Sequence, residues 1–211
     1  MNIQKPAGLL GSNKLTIAIL FLLGVCSFHF FVALPYIRNM SDLPLVPDMM
    51  HSILPFSPSA GFMADFLVLL SLVMLMIEWW FDKDKWAYGI FVFTFIILIR
   101  SICVCLNPLM PPLGVTDFLT YASHASEPGM FFSGHVAFAF IAFLMSHYFR
   151  RFKLLLILAV AAGLLLSRAH YSIDIVGGLA IAWACYCFCE RYVKRLFINP
   201  ILYFRDHHHI F

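Results

Sequence analysis

The chain has 211 residues, 62% of them hydrophobic and only 12% charged, with a mean hydropathy of +0.89. A water-soluble domain would carry about twice that charged fraction, so a soluble globular domain is excluded, and a net charge of +3 does not point to nucleic acid as a partner. The remaining class is an all-α, polytopic integral membrane protein with room for one membrane domain and little else.

Six apolar stretches are predicted as helices. The first, Leu15–Leu34, follows Lys5 and Lys14. It is long for the apolar part of a signal peptide and no small-residue cleavage site follows, so it reads as a retained helix. A proline-rich connection, Pro35–Gly61, contains Pro44-Leu45-Val46-Pro47-Asp48 and His51. The second helix, Phe62–Trp80, carries Asp65 near its start and Glu78 near its end. Lys83 and Lys85 separate it from the third, Trp86–Leu106, which holds Arg100. A second connection, Asn107–Gly134, contains Pro108, Pro111, Pro112, Glu127 and Pro128. The fourth helix, His135–Phe149, begins directly after Ser133-Gly134. Arg150, Arg151 and Lys153 precede the fifth, Leu154–Ser167. A turn at Ser167–Tyr171 leads into the sixth, Ile173–Cys189, after which come Arg191, Lys194, Arg195 and Arg205. Proline and glycine mark the connections as loops or re-entrant turns. Several stretches fall short of the ~20 residues an untilted span needs, so their ends extend into the loops.

The basic residues sort by side. In a six-helix bundle, the segments before helix one, between two and three, between four and five, and after six share one face, and they hold all but Arg38, Arg100 and Arg168. The positive-inside rule makes that face cytoplasmic. Both termini are then cytoplasmic: residues 1–14 form an N-terminal segment, 15–190 the six-helix membrane catalytic domain, and 191–211 a tail. Cys26, Cys103, Cys105, Cys185, Cys187 and Cys189 all lie in apolar runs and read as small buried hydrophobes. His207, His208 and His209 read as a polar tail. No metal site and no cofactor is assigned.

Chemistry gathers at the extracytoplasmic ends. His135 opens helix four, His170 precedes helix six, and Asp174 lies one turn beyond His170 on the same face. A carboxylate there can accept Nδ1–H of His170, free Nε2 as a nucleophile and stabilise the phosphohistidine that forms. Ser133 suits an N-cap and Gly134 lets a ligand approach the backbone, so helix-end N–H groups would face a phosphate. His135 is placed to protonate a leaving oxygen and then to activate the acceptor. Arg100 and Arg168 are suited to phosphate oxygens. Asp48 and Glu127 are candidate headgroup contacts, and His51 shares the loop of Asp48. Asp65 is read first as an interhelical hydrogen bond, and His29, Glu78 and His147 as structural.

These segments resemble the sphingomyelin synthase branch of the type-2 phosphatidate phosphatase superfamily. Pro44-Leu45-Val46-Pro47-Asp48 is similar to its first-loop Pro-Leu-Pro-Asp motif. Arg100, with Leu106-Asn107-Pro108 and Pro111-Pro112, is similar to its arginine-to-proline motif. Phe131–Phe138 resembles the Ser-Gly-His-Thr motif, with Val136 in place of threonine. Arg168–Asp174 resembles the His-Tyr-x-x-Asp motif. Synthases carry Cys-Gly-Asp ahead of the histidine, where this chain has Gly129 at the aspartate position and Glu127 two residues earlier. The phosphatase branch's Lys-x6-Arg-Pro motif is missing, since Phe93 and Ser101 stand at its lysine and proline positions.

The resemblance implies a six-helix fold and metal-independent transfer of phosphocholine or phosphoethanolamine from a glycerophospholipid to ceramide or a related lipid alcohol. In it His170 is the nucleophile, Asp174 its orienting partner and His135 the second acid/base. The substrates are then membrane lipids. A lipid phosphate phosphatase would use the same site with water as acceptor. A non-catalytic lipid transporter or scaffold would not need His170.

Overall fold

The computed structural model describes residues 8–40, 43–112 and 131–198, with the side chains of residues 8–12 and Lys83 excepted. Glu127, Gly129 and His207–His209 therefore lie outside the described residues. Among those described there is no strand. Helix α1 (Gly8–Phe28) passes through a π-helical turn, His29–Ala33, into α2 (Leu34–Arg38). The short α3 (Met49–Ile53) follows, then α4 (Ser59–Glu78) and α5 (Lys83–Leu106). The second half holds α6 (Gly134–Leu144), α7 (Arg150–Leu166) and α8 (Ser172–Phe188). A second π turn, Cys189–Val193, leads to α9 (Lys194–Phe197).

Among the described residues, four helical stretches are long and apolar enough to cross a membrane: Asn13–Arg38, Ser59–Glu78, Asp84–Leu106 and Ser172–Phe197. Their outer faces carry large apolar side chains in the open, among them Leu23, Phe31, Leu69 and Trp183. Water does not tolerate so much exposed hydrocarbon, so the chain is embedded in a membrane.

Helix α6 is the hub: it packs against α4, α5, α7 and α8. It buries Val136, Ala137, Ala139, Ile141 and Ala142, mostly small residues that let neighbours come close. The approach to α8 is close: a Cβ on Gly178 would lie 2.8 Å from the Ser133 carbonyl oxygen. Only glycine fits there.

The sequence predicted the fourth helix to reach Phe149, but α6 stops at Leu144 after 11 residues. At ~1.5 Å per residue it is about 16 Å long, roughly half of a hydrocarbon core. The cause is Glu78 at the end of α4. Its carboxylate accepts from Ser146 Oγ (2.5 Å), His147 N–H (3.0 Å) and Tyr148 N–H (3.4 Å), bending the chain out of helix. Phe149 then takes a left-handed conformation, φ 57°, and α7 starts at Arg150. Arg150, Arg151 and Lys153, expected in the connection, thus form the first turn of α7. Lys153 is fully buried, its Nζ 2.6 Å from Glu78.

That end of the bundle is the basic one. Lys14 lies 3.9 Å from Asp84 and donates to the Phe197 carbonyl, while Lys194 and Tyr88 both bond Glu190. His135, His170 and Asp174 sit at the other end.

Candidate active site

The turn between α7 and α8 sets the geometry. Helix α7 closes in a Schellman arrangement: Ala169 N–H bonds the Leu164 carbonyl at 3.0 Å and Arg168 N–H the Leu165 carbonyl at 3.1 Å. Arg168 occupies the left-handed position normally given to glycine, φ 55°. The strain is held by the arginine side chain itself, whose Nη2 donates to the His51 carbonyl (3.3 Å) while the guanidinium lies over Phe56. This reversal delivers His170 to the start of α8, almost fully buried.

Asp174 has two tasks through one oxygen. Its Oδ2 accepts the Tyr171 N–H at 3.0 Å, capping α8, and lies 3.4 Å from His170 Nδ1. Its Oδ1 is buried with no hydrogen-bond partner. An orphaned carboxylate oxygen is costly, and a positive charge developing on the adjacent imidazole would offset that cost. Burial pushes the His170 pKa below its ordinary value. The Asp174 hydrogen bond opposes this, and His135 and Arg100 reinforce it. His170 is therefore a neutral imidazole near pH 7, the form that has a lone pair to give.

His135 enters from α6. Ser133 caps that helix, its Oγ 3.5 Å from the Val136 N–H, and its own N–H bonds the Asp174 carbonyl at 3.0 Å. The start of α6 is thereby pinned to the start of α8. The His135 and His170 rings lie edge to face, centroids 6.0 Å apart. Nε2 of His135 is 2.7 Å from Asp65 Oδ1 on α4.

Arg100 Nε donates to the Phe132 carbonyl at 3.2 Å, and a Cβ on Gly134 would lie 3.3 Å from that nitrogen. The guanidinium thus rests against the N-terminus of α6. A cation there opposes the helix dipole, so the two together make a strongly positive spot that favours an anion.

The first loop is laced to this platform. Asp48 Oδ1 caps α3 through the Met50 N–H (2.8 Å), and its Oδ2 accepts both the N–H (2.5 Å) and Oγ–H (2.8 Å) of Ser172. Burial raises its pKa, but these bonds and nearby His51 hold it below the usual carboxylate range overall. Both Asp48 oxygens are thus engaged by the fold. His51 Nε2 meets the His170 carbonyl at 3.0 Å. Tyr171, buried, donates to the Met110 carbonyl at 3.0 Å and accepts from the Val46 N–H at 3.4 Å. Leu45, Val46, Asp48, His51, Pro112, Arg168 and Tyr171 line a cavity of about 150 Å³ on this outer side.

Of the residues singled out in the sequence, His135, His170, Asp174, Ser133, Gly134 and Arg100 come together in one cluster. Arg168 faces the outer cavity, and Asp48 serves as a clamp. Asp65, read first as an interhelical bond, lies against His135 of α6 at 2.7 Å. No group of His, Cys, Asp and Glu suited to a metal occurs among the described residues. The chain matches no family model and no curated protein sequence.

Proposed function

We propose that the chain is a membrane lipid phosphotransferase working through a phosphohistidine. It moves a phospho-headgroup, phosphocholine or phosphoethanolamine, from a glycerophospholipid to ceramide or a related lipid alcohol. The observation that carries this reading is the pair of facing histidines, one of them backed by a buried carboxylate. In the first step His170 Nε2 attacks phosphorus, the bond to the glycerol oxygen breaks, and His135 gives that oxygen a proton. In the second, the acceptor hydroxyl passes its proton to His135 and attacks phosphorus, and the N–P bond breaks. Asp174 offsets the positive charge on His170 in the intermediate. Arg100 and the start of α6 hold the phosphate oxygens, and Arg168 contacts the headgroup from the outer cavity.

The resemblance of the His135 and His170 segments to the sphingomyelin synthase branch supports the same reading. So does the separation of the basic end from the site end, which favours six spans, cytoplasmic termini and an extracytoplasmic site.

The test is purified protein with labelled phosphatidylcholine or phosphatidylethanolamine, with and without ceramide or diacylglycerol, followed by mass spectrometry. Labelled headgroup on the added acceptor is the expected result. Release of inorganic phosphate from phosphatidate without transfer would instead identify a phosphatase, and turnover that survives His170→Ala would remove the phosphohistidine altogether.

A further inference from the structure

We propose that Asp65 is the positioning carboxylate of His135, and that the two histidines therefore work through opposite ring nitrogens. His170 acts through Nε2 and His135 through Nδ1. This rests on the phosphotransfer reading and extends it to a helix that carries none of the site motifs.

Asp65 lies in the second turn of α4. Its Oδ1 is 2.7 Å from Nε2 of His135, and the two side chains keep 20% and 19% of their surface exposed. Both are thus partly exposed, whereas Asp174 is wholly buried. At that distance the carboxylate is within reach of an Nε2–H, and a proton held there would leave the lone pair of the neutral ring on Nδ1. At His170 the arrangement is reversed, because Asp174 lies on the Nδ1 side at 3.4 Å. The groups around His135 are Asp65 from α4, His170 from the turn before α8, Asp174 behind that ring, and Arg100 of α5 against Gly134. Each histidine thus has its own carboxylate, and Asp65 is the one able to offset a proton on His135.

The proton traffic follows. Before the first step His135 carries protons on both nitrogens, with Nε2–H on Asp65. As the N–P bond to His170 forms and the P–O bond to glycerol breaks, the Nδ1 proton goes to the glycerol oxygen. As the acceptor oxygen bonds phosphorus and the N–P bond breaks, the acceptor's proton returns to Nδ1. Asp65 is never protonated. It fixes the tautomer and stabilises the imidazolium.

The experiment compares two donors, the phospholipid that the wild type uses and the p-nitrophenyl ester of the same headgroup. Nitrophenolate departs without a proton, whereas the glycerol oxygen needs one. Purified full-length wild type, Asp65→Asn, Asp65→Ala and His135→Ala are assayed for the first half-reaction, as diacylglycerol release and as the nitrophenolate burst. Asparagine keeps a hydrogen-bond acceptor of the same shape, so Asp65→Asn carries the test if Asp65→Ala misfolds. The expected result is a loss of about a hundredfold or more in diacylglycerol release for the Asp65 variants, with a nitrophenolate burst within about tenfold of wild type, the same pattern as His135→Ala. Equal losses on both donors, or wild-type diacylglycerol release in Asp65→Asn, would reduce Asp65 to a tie between α4 and α6 and overturn the proposal. Wild-type transfer by His170→Ala would overturn it differently, by removing the phosphotransfer reading beneath it.

Discussion

The rings of His135 and His170 meet edge to face, with centroids 6.0 Å apart and planes at 65°. The contact exists because Ser133 N–H bonds the Asp174 carbonyl, so the starts of α6 and α8 form one unit. In the proposed phosphotransfer, a phosphorus between the two rings would meet His170 as nucleophile on one side and His135 as proton carrier on the other.

His170→Ala should abolish turnover and the labelled phosphoenzyme together. Asp174→Asn should retain the fold but lose on the order of 10³–10⁴-fold in kcat, since an amide can hold the wrong tautomer and offers no charge. Acid-quenched labelling with a phosphate-labelled donor checks both. A labelled His170→Ala enzyme would place the nucleophile elsewhere.

The acid limb of activity should lie below pH 6.5, the ordinary histidine value, because burial lowers the pKa of His170. The sign follows from the proton balance. Between 6.5 and the lower folded value, the unfolded chain binds a proton that the folded protein refuses, so stability also falls as pH drops through that window. A pH profile of kcat/KM for the wild type, set beside unfolding midpoints of wild type and His170→Gln, separates the two effects. The glutamine variant should lose that part of the pH dependence of stability.

Asp48→Ala should act on stability first. It removes the cap of α3, worth about 1 kcal/mol, and frees the first loop from Ser172. Because the folded carboxyl titrates below its ordinary 3.8, the stabilisation is complete above that pH and lost as pH falls through the folded value. Thermal unfolding in detergent should show a lowered midpoint for Asp48→Asn, with a shallower decline at acid pH than wild type.

Lys153→Ala should be among the most damaging changes far from the site. Lys153 is fully buried against Glu78, and removing one partner strands the other charge at a cost of about 3–5 kcal/mol. Pairing Lys153→Met with Glu78→Gln should recover much of the loss. If the double variant is no more stable than Lys153→Ala, Glu78 is not the stranded group.

Much of this was legible in the chain. Each of the six apolar stretches is helical over most of its length, because helix needs only local hydrogen bonds and each stretch is rich in apolar residues free of internal proline. The His170 and Asp174 spacing was legible too, since residues four apart on a helix start share a face whatever surrounds them. Ser133 was legible as a cap for the same local reason. The end of the fourth helix was not, because Leu144 is its last residue only where Glu78, far off in sequence, takes the N–H groups of His147 and Tyr148. The tie from Asp48 to Ser172 was not legible either, because it spans 124 residues and the loop position of Asp48 says nothing of it.

The sequence by itself determined a membrane-embedded, all-helical chain and two histidine segments at helix starts, because hydropathy and helical periodicity act over a few residues. Tertiary structure alone decided that a second carboxylate, Asp65, comes up to His135. Asp65 meets His135 only because α4 packs on α6, and Asp48 is a clamp only because the first loop folds onto α8. Such pairings depend on helix packing between distant parts of the chain, and no local pattern records it.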